Sequence, residues 1–114
     1  MKQVLFVNCC IRRENSRTQK LADYFLEKLQ GKDGYEVTEL CLMDESLDYF
    51  TDGFFWQRER LLADKNFDHP RFRYANQFAA ADKIVIAAPF WDLSFPALLK
   101  VYIENLCVEG ITFG

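Results

Sequence analysis

The sequence predicts an α/β domain built on an open parallel sheet, and three observations carry that prediction. Two short apolar runs, Val4-Leu5-Phe6-Val7 and Ile84-Val85-Ile86, have the composition of strands covered on both faces. Stretches with helical spacing follow each of them. Strands alternating with helices in this way imply right-handed crossovers between parallel strands. At 114 residues, half of them hydrophobic, the chain is long enough for one domain, 1–114, with a real core. It contains no internal repeat and no linker.

The elements follow in order. Val4–Val7 is the first, central strand, and the chain turns polar from Asn8 to Asn15. Ser16 with Gln19 three residues later fits a capping box that opens a helix. Its apolar stripe reads as Leu21, Phe25 and Leu29, widened by Ala22 and Leu26, with Gly31 and Gly34 closing it. Tyr35–Leu42 reads as a second strand, and its polar content predicts a sheet edge. Met43–His69 is an irregular arm, acidic and aromatic, with a short helix expected from Phe54 to Ala63. Such an insertion either packs onto the sheet edge or serves as a lid or partner-binding arm. Pro70 starts another helical pattern that ends near Asp82, and Lys83–Ala88 is the third strand. After the loop Pro89-Phe90-Trp91-Asp92-Leu93, Ser94 is the expected N-cap of a last helix through Leu106, with Pro96 in its first turn.

Composition removes several function classes. The net charge of -3 offers no basic surplus for a phosphate backbone, so nucleic acid is not an expected partner. No apolar run reaches the roughly 20 residues of a membrane helix, and the apolar start ends at Asn8, too soon for a signal peptide. A cytoplasmic protein is expected. Cys9, Cys10, Cys41 and Cys107 form no C-x-x-C pair and accompany a single histidine, His69, so no metal site and four reduced thiols are expected. His69 itself reads as an incidental surface histidine.

Two loops carry candidate chemistry. The helix start at Ser16, Arg17 and Thr18 offers backbone N–H groups, hydroxyls and a guanidinium to an anion such as a phosphate. It lacks the glycines of a Walker or Rossmann loop. A cysteine phosphatase would need one residue fewer than the six separating Cys10 from Arg17, and a phospho-acceptor receiver would need acids where Asn8-Cys9-Cys10 stand. The second loop, Pro89 to Leu93, places Phe90 and Trp91 where a strand empties into a helix. Aromatic surface together with loop amides suits a planar heteroaromatic ring. In a 2-1-3 strand order the two loops flank the switch point, and a phosphate on one side with a ring on the other describes FMN.

Val4–Val7 with the Ser16-Arg17-Thr18 helix start, the run Val85 to Ser94, and Gly110-Ile111-Thr112-Phe113 resemble the flavodoxin-like NAD(P)H-dependent oxidoreductases, which include FMN-dependent azoreductases and quinone reductases. The resemblance spans nearly the whole chain. It implies a flavodoxin-like open parallel sheet of order 2-1-3 without the last two strands of the family fold, so that the domain would be truncated at its C-terminal end. It implies an enzyme that moves hydride from NAD(P)H through FMN to quinone or azo acceptors, as a homodimer. Cys10, Ser16, Arg17 and Thr18 would contact the FMN phosphate and ribityl, and Pro89, Phe90, Trp91, Asp92 and Leu93 the ring. Cys10 stands where azoreductases often have serine, and Asp92 where they often have asparagine; an ionised Asp92 has no side-chain proton to donate to the ring. A flavin-binding or electron-transfer module without turnover is the alternative.

Overall fold

The computed structural model describes residues 2–12, 16–89 and 95–113. The chain runs β1 (Gln3–Asn8), α1 (Arg17–Asp33), β2 (Glu36–Cys41), α2 (Asp52–Ala63), α3 (Arg73–Ala80), β3 (Lys83–Ala87) and α4 (Ala97–Leu106). Single turns of 3₁₀ helix, Leu42–Asp44 and Pro70–Phe72, follow β2 and precede α3. The three strands are parallel in the order β2-β1-β3, as expected.

Successive strand side chains point to opposite faces, and this divides β1. Val4 and Phe6 pack against Leu26 and Leu29 of α1. Leu5 and Val7 face Tyr74 of α3 and Leu99, Tyr102 and Leu106 of α4. Burial on both sides is why the central strand has no polar residue between Gln3 and Asn8. At the edge, β2 exposes Glu36, Thr38 and Glu39 and buries Leu40, which accounts for its mixed composition.

Local signals set the helix ends. Ser16 Oγ accepts the Gln19 N–H at 3.1 Å, so the expected cap forms. Gly31 remains helical, and Gly34 ends α1 at φ 69°, donating its N–H to Leu29 O. A left-handed cap of this kind favours glycine. The arm helix starts two residues earlier than expected, because Thr51 Oγ1 accepts the Phe54 N–H at 3.3 Å. In the last helix the cap falls on Pro96, not on Ser94, which lies outside the described residues. The Pro96 carbonyl takes the N–H groups of Leu99 and Lys100, so α4 begins only at Ala97.

Three expectations change. The stripe of α1 is Ala22, Leu26 and Leu29; Leu21 and Phe25 are 72% and 51% exposed. Their side of α1 looks past β3, where the sheet ends. The start of the arm packs against the core, with Leu47 on the cluster that contains Leu40 and Leu42, but its helix lies elsewhere. Leu61 and Leu62 of α2 rest on Phe72, Ala75 and Val108 instead, and polar contacts complete the attachment. Tyr74 donates to Glu45 at 2.8 Å, Asn105 donates to the Asp48 carbonyl at 2.9 Å, and the Arg71 guanidinium lies 3.4 Å from the Phe54 ring centre. His69 is no incidental surface residue: half-buried, its Nδ1 accepts the Arg71 N–H at 3.1 Å and caps the turn leading into α3.

The run Gly110-Ile111-Thr112-Phe113 forms a tight turn after α4. Gly110 donates to Phe113 O at 2.7 Å, and Thr112 Oγ1 donates to Leu106 O at 2.6 Å. Gly110 sits at φ 92°, and a Cβ there would fall 2.8 Å from the Phe67 ring. Conformation and space both call for glycine at this position.

Candidate functional site

The carboxyl ends of β1 and β3 meet at Asn8, Cys9, Cys10 and Ala87. Cys9 N–H donates to Ala87 O at 2.8 Å, extending the β1–β3 pairing one residue past Asn8. Asn8 is buried and acts as a local clamp, accepting the Cys10 N–H on Oδ1 at 2.9 Å and donating from Nδ2 to Glu39 at 3.1 Å. One side chain thus fixes the exit of β1 against both β2 and the following loop. Sequence reasoning passed over Asn8. Its one available signal was an amide at the end of an otherwise apolar strand, where a buried side chain must find partners.

Cys10 is fully buried, and its thiol lies 3.6 Å from Ala87 O, with the Ser16 side chain beside it. Burial pushes its pKa up, and the Ser16 contact offsets part of that rise. The thiol therefore stays protonated and faces inward among Val4, Phe6 and Leu26. Any help that Cys10 gives a ligand is indirect, through the position of Ser16. Ser16, 5% exposed, holds the first turn of α1. No acid occupies that turn, so the positive end of the helix dipole has no side-chain counter-charge there. Among the described residues the N–H groups of Arg17 and Thr18, in the first turn of α1, have no backbone partner. The Arg17 side chain is exposed, and Thr18 is half-buried beside Ala87.

Cys10 thus stands between the buried Ser16 at the helix start and the end of β3. Pro89, half-buried, stands two residues beyond Ala87 and carries the chain out of the sheet. Of the expected site residues, Cys10, Ser16, Arg17, Thr18 and Pro89 are thereby gathered at one end of the sheet. Phe90, Trp91, Asp92 and Leu93 lie outside the described residues. Among the described residues no cluster of His, Cys, Asp and Glu could hold a metal ion, and no helix is long and apolar enough to cross a membrane.

A parallel sheet of order 2-1-3, with helices on both faces and an anion-suited helix start beside the switch point, defines a flavodoxin-like class. The family model described as a flavodoxin-like fold matches residues 2–114, and the chain belongs to this family. It is 43% identical to an FMN-dependent NADH:quinone oxidoreductase 2 of Clostridium acetobutylicum, over 99% of this chain and 57% of that protein. A similar enzyme of Clostridium beijerinckii is 38% identical over 99% of this chain and 58% of its own. Among solved structures, an azoreductase from Bacillus anthracis superposes with a TM-score of 0.84 at 33% identity, over 97% of this chain and 58% of that one. The chain thus spans somewhat more than half the length of the relatives it matches.

Proposed function

We propose that this chain forms the phosphate-binding half, and the ring-loop base, of an FMN-dependent NAD(P)H oxidoreductase acting on quinone or azo acceptors. The observation that carries the reading is the meeting of the capped start of α1 and the ends of β1 and β3 at Ser16, Cys10 and Ala87, where Cys9 N–H and the Cys10 thiol both reach Ala87 O. The likeness to the clostridial quinone oxidoreductases and the azoreductase supports it.

The residues present fit FMN. A terminal phosphate would meet the amides of Arg17 and Thr18 and the Arg17 guanidinium, with no first-turn acid to repel it. Ser16 would hold that turn in place, its Oγ accepting from Gln19 and its O–H still able to donate to the phosphate. Phe90, Trp91, Asp92 and Leu93 are assigned to the ring, with Pro89 fixing where the loop begins. When bound, FMN supplies the hydride chemistry between NAD(P)H and the acceptor. The chain's own contribution is orientation, through the buried and fully bonded Asn8, Cys10 and Ser16. The reading includes a cytoplasmic homodimer. Exposed Tyr49, Phe55 and Trp56 on the arm offer apolar surface for self-association.

Titration of the purified protein with FMN tests the proposal. Retention at micromolar concentration, NADH-driven bleaching and recovery on adding a quinone are expected. Loss of added FMN on gel filtration overturns it, and bleaching without quinone turnover selects a flavin-binding module instead. Trp91→Ala should weaken flavin binding more than His69→Ala; equal affinities would remove the loop from the site.

A further inference from the structure

Two arginines meet where the arm rests on the domain. Arg58 comes from α2 and Arg71 from the 3₁₀ turn before α3, and both line one small cavity of about 10 Å³ against α4. That space admits about one water-sized body. Phe50, Phe72 and Val108 supply its apolar walls.

Both guanidiniums are fixed by their faces. The Arg58 guanidinium carbon lies 5.1 Å from the Phe50 ring centre, and that of Arg71 lies 3.4 Å from the Phe54 ring centre. Such contacts leave the in-plane N–H groups to find acceptors. Arg71 Nη1 finds Gln57 Oε1 at 3.0 Å. Arg58 Nε and Arg71 Nη2 find none: both atoms are buried without a hydrogen-bond partner among the described residues.

Buried N–H groups are nearly always paired, and orphans on a cation are the costliest kind. A guanidinium does not escape by losing its proton. Burial, and then the Arg58 charge beside it, push the Arg71 pKa down, while Asp48 and Glu59 act weakly the other way. The nearby carboxylates do not close the gap. Glu59 Oε1 is 4.0 Å from Arg58 Nε, beyond hydrogen-bond reach, although the Arg58 side chain is only 18% exposed. Asp48 is exposed, and so is Glu104, which borders the cavity. A water there would accept the protons but leave two like charges facing each other. An anion answers both needs, and a space this small excludes carboxylates and phosphates.

We infer that the cavity between Arg58 and Arg71 is a binding site for a monatomic anion such as chloride, which ties α2 to the turn before α3. The inference does not rest on the flavin reading.

Amide exchange of the whole chain without flavin, in sodium chloride against sodium gluconate at equal ionic strength, tests it. Gluconate is too large to enter. Exchange in α2 is expected to slow saturably with chloride, about tenfold when chloride stands at ten times its dissociation constant, and to ignore gluconate. Arg58→Gln should abolish the slowing. A response shared by both salts assigns the cavity to water and overturns the inference. So does the lack of any response, or a chloride response that Arg58→Gln retains. Should Arg58→Gln leave α2 unprotected in every salt, bromide decides the matter. A crystal of the unsubstituted chain grown in sodium bromide should show an anomalous peak between Arg58 and Arg71, and its absence overturns the inference.

Discussion

The two faces of the sheet differ in how they are finished. On the α3/α4 face, Leu5, Val7 and Cys9 disappear beneath Tyr74, Leu99, Tyr102 and Leu106, and the Tyr74 and Tyr102 rings meet edge-on at 5.9 Å between centres. On the α1 face, Val4 and Phe6 are equally buried, but Leu21, Tyr24 and Phe25 of α1 stand in solvent. The difference teaches that burial of the central strand is no measure of a finished domain. A three-stranded sheet can seal β1 on both sides and still leave β3 open.

Substitution of tyrosines on the two faces gives the largest expected contrast. Tyr102→Ala removes a fully buried ring and should cost about 3–5 kcal/mol in denaturant unfolding, while Tyr24→Ala, 59% exposed, should stay within about 0.5 kcal/mol. Similar losses would mean that the α1 face is packed in solution. Tyr102→Phe sharpens the comparison, because the buried hydroxyl has no partner among the described residues. Its removal should be neutral or slightly stabilising.

A smaller effect lies in the alkaline limb. Cys9, on the closed face, has its pKa raised by burial from 9.0 to about 11, with Cys10 beside it adding to the rise. Between those values the unfolded chain loses the thiol proton and the folded chain keeps it. Stability should therefore be full below pH 9 and fall as pH rises toward 11. Cys9→Ala should flatten that part of the profile; an unchanged slope would assign it to other groups. At neutral pH exposed Cys107 should alkylate well before Cys9 or Cys10, both fully buried.

Much of this architecture was legible in the sequence. The apolar runs located β1 and β3, the polar content of β2 placed it at an edge, and Ser16 with Gln19 marked the start of α1. What failed had a common cause. Periodicity shows that a helix has an apolar side but not how wide a surface waits for it, so Leu21 and Phe25 were read as core. The same limit hid the role of His69, because a capping nitrogen depends on the turn that Pro70 makes, not on spacing. Cys10 reads as a site residue from the sequence, yet only coordinates distinguish a thiol facing a ligand from one buried against Ala87 O.

Asn105 holds a further consequence. Its Nδ2 donates both to Val101 O within α4 and to Asp48 O in the arm, each at 2.9 Å. Besides this amide, the Tyr74–Glu45 and Asn76–Phe67 bonds, Arg71, Leu47 and the Leu61–Leu62 contacts hold the arm, and α2 has no fully buried residue of its own. Such a segment can open as a separate, low-stability unit while β1 remains protected. When it lifts away, the Asn105 amide keeps its bond within α4, so the helix need not unravel with the arm. Amide exchange would then record two rates in one small domain, fast in α2 and slow in β1, with Asn105 at the boundary between them.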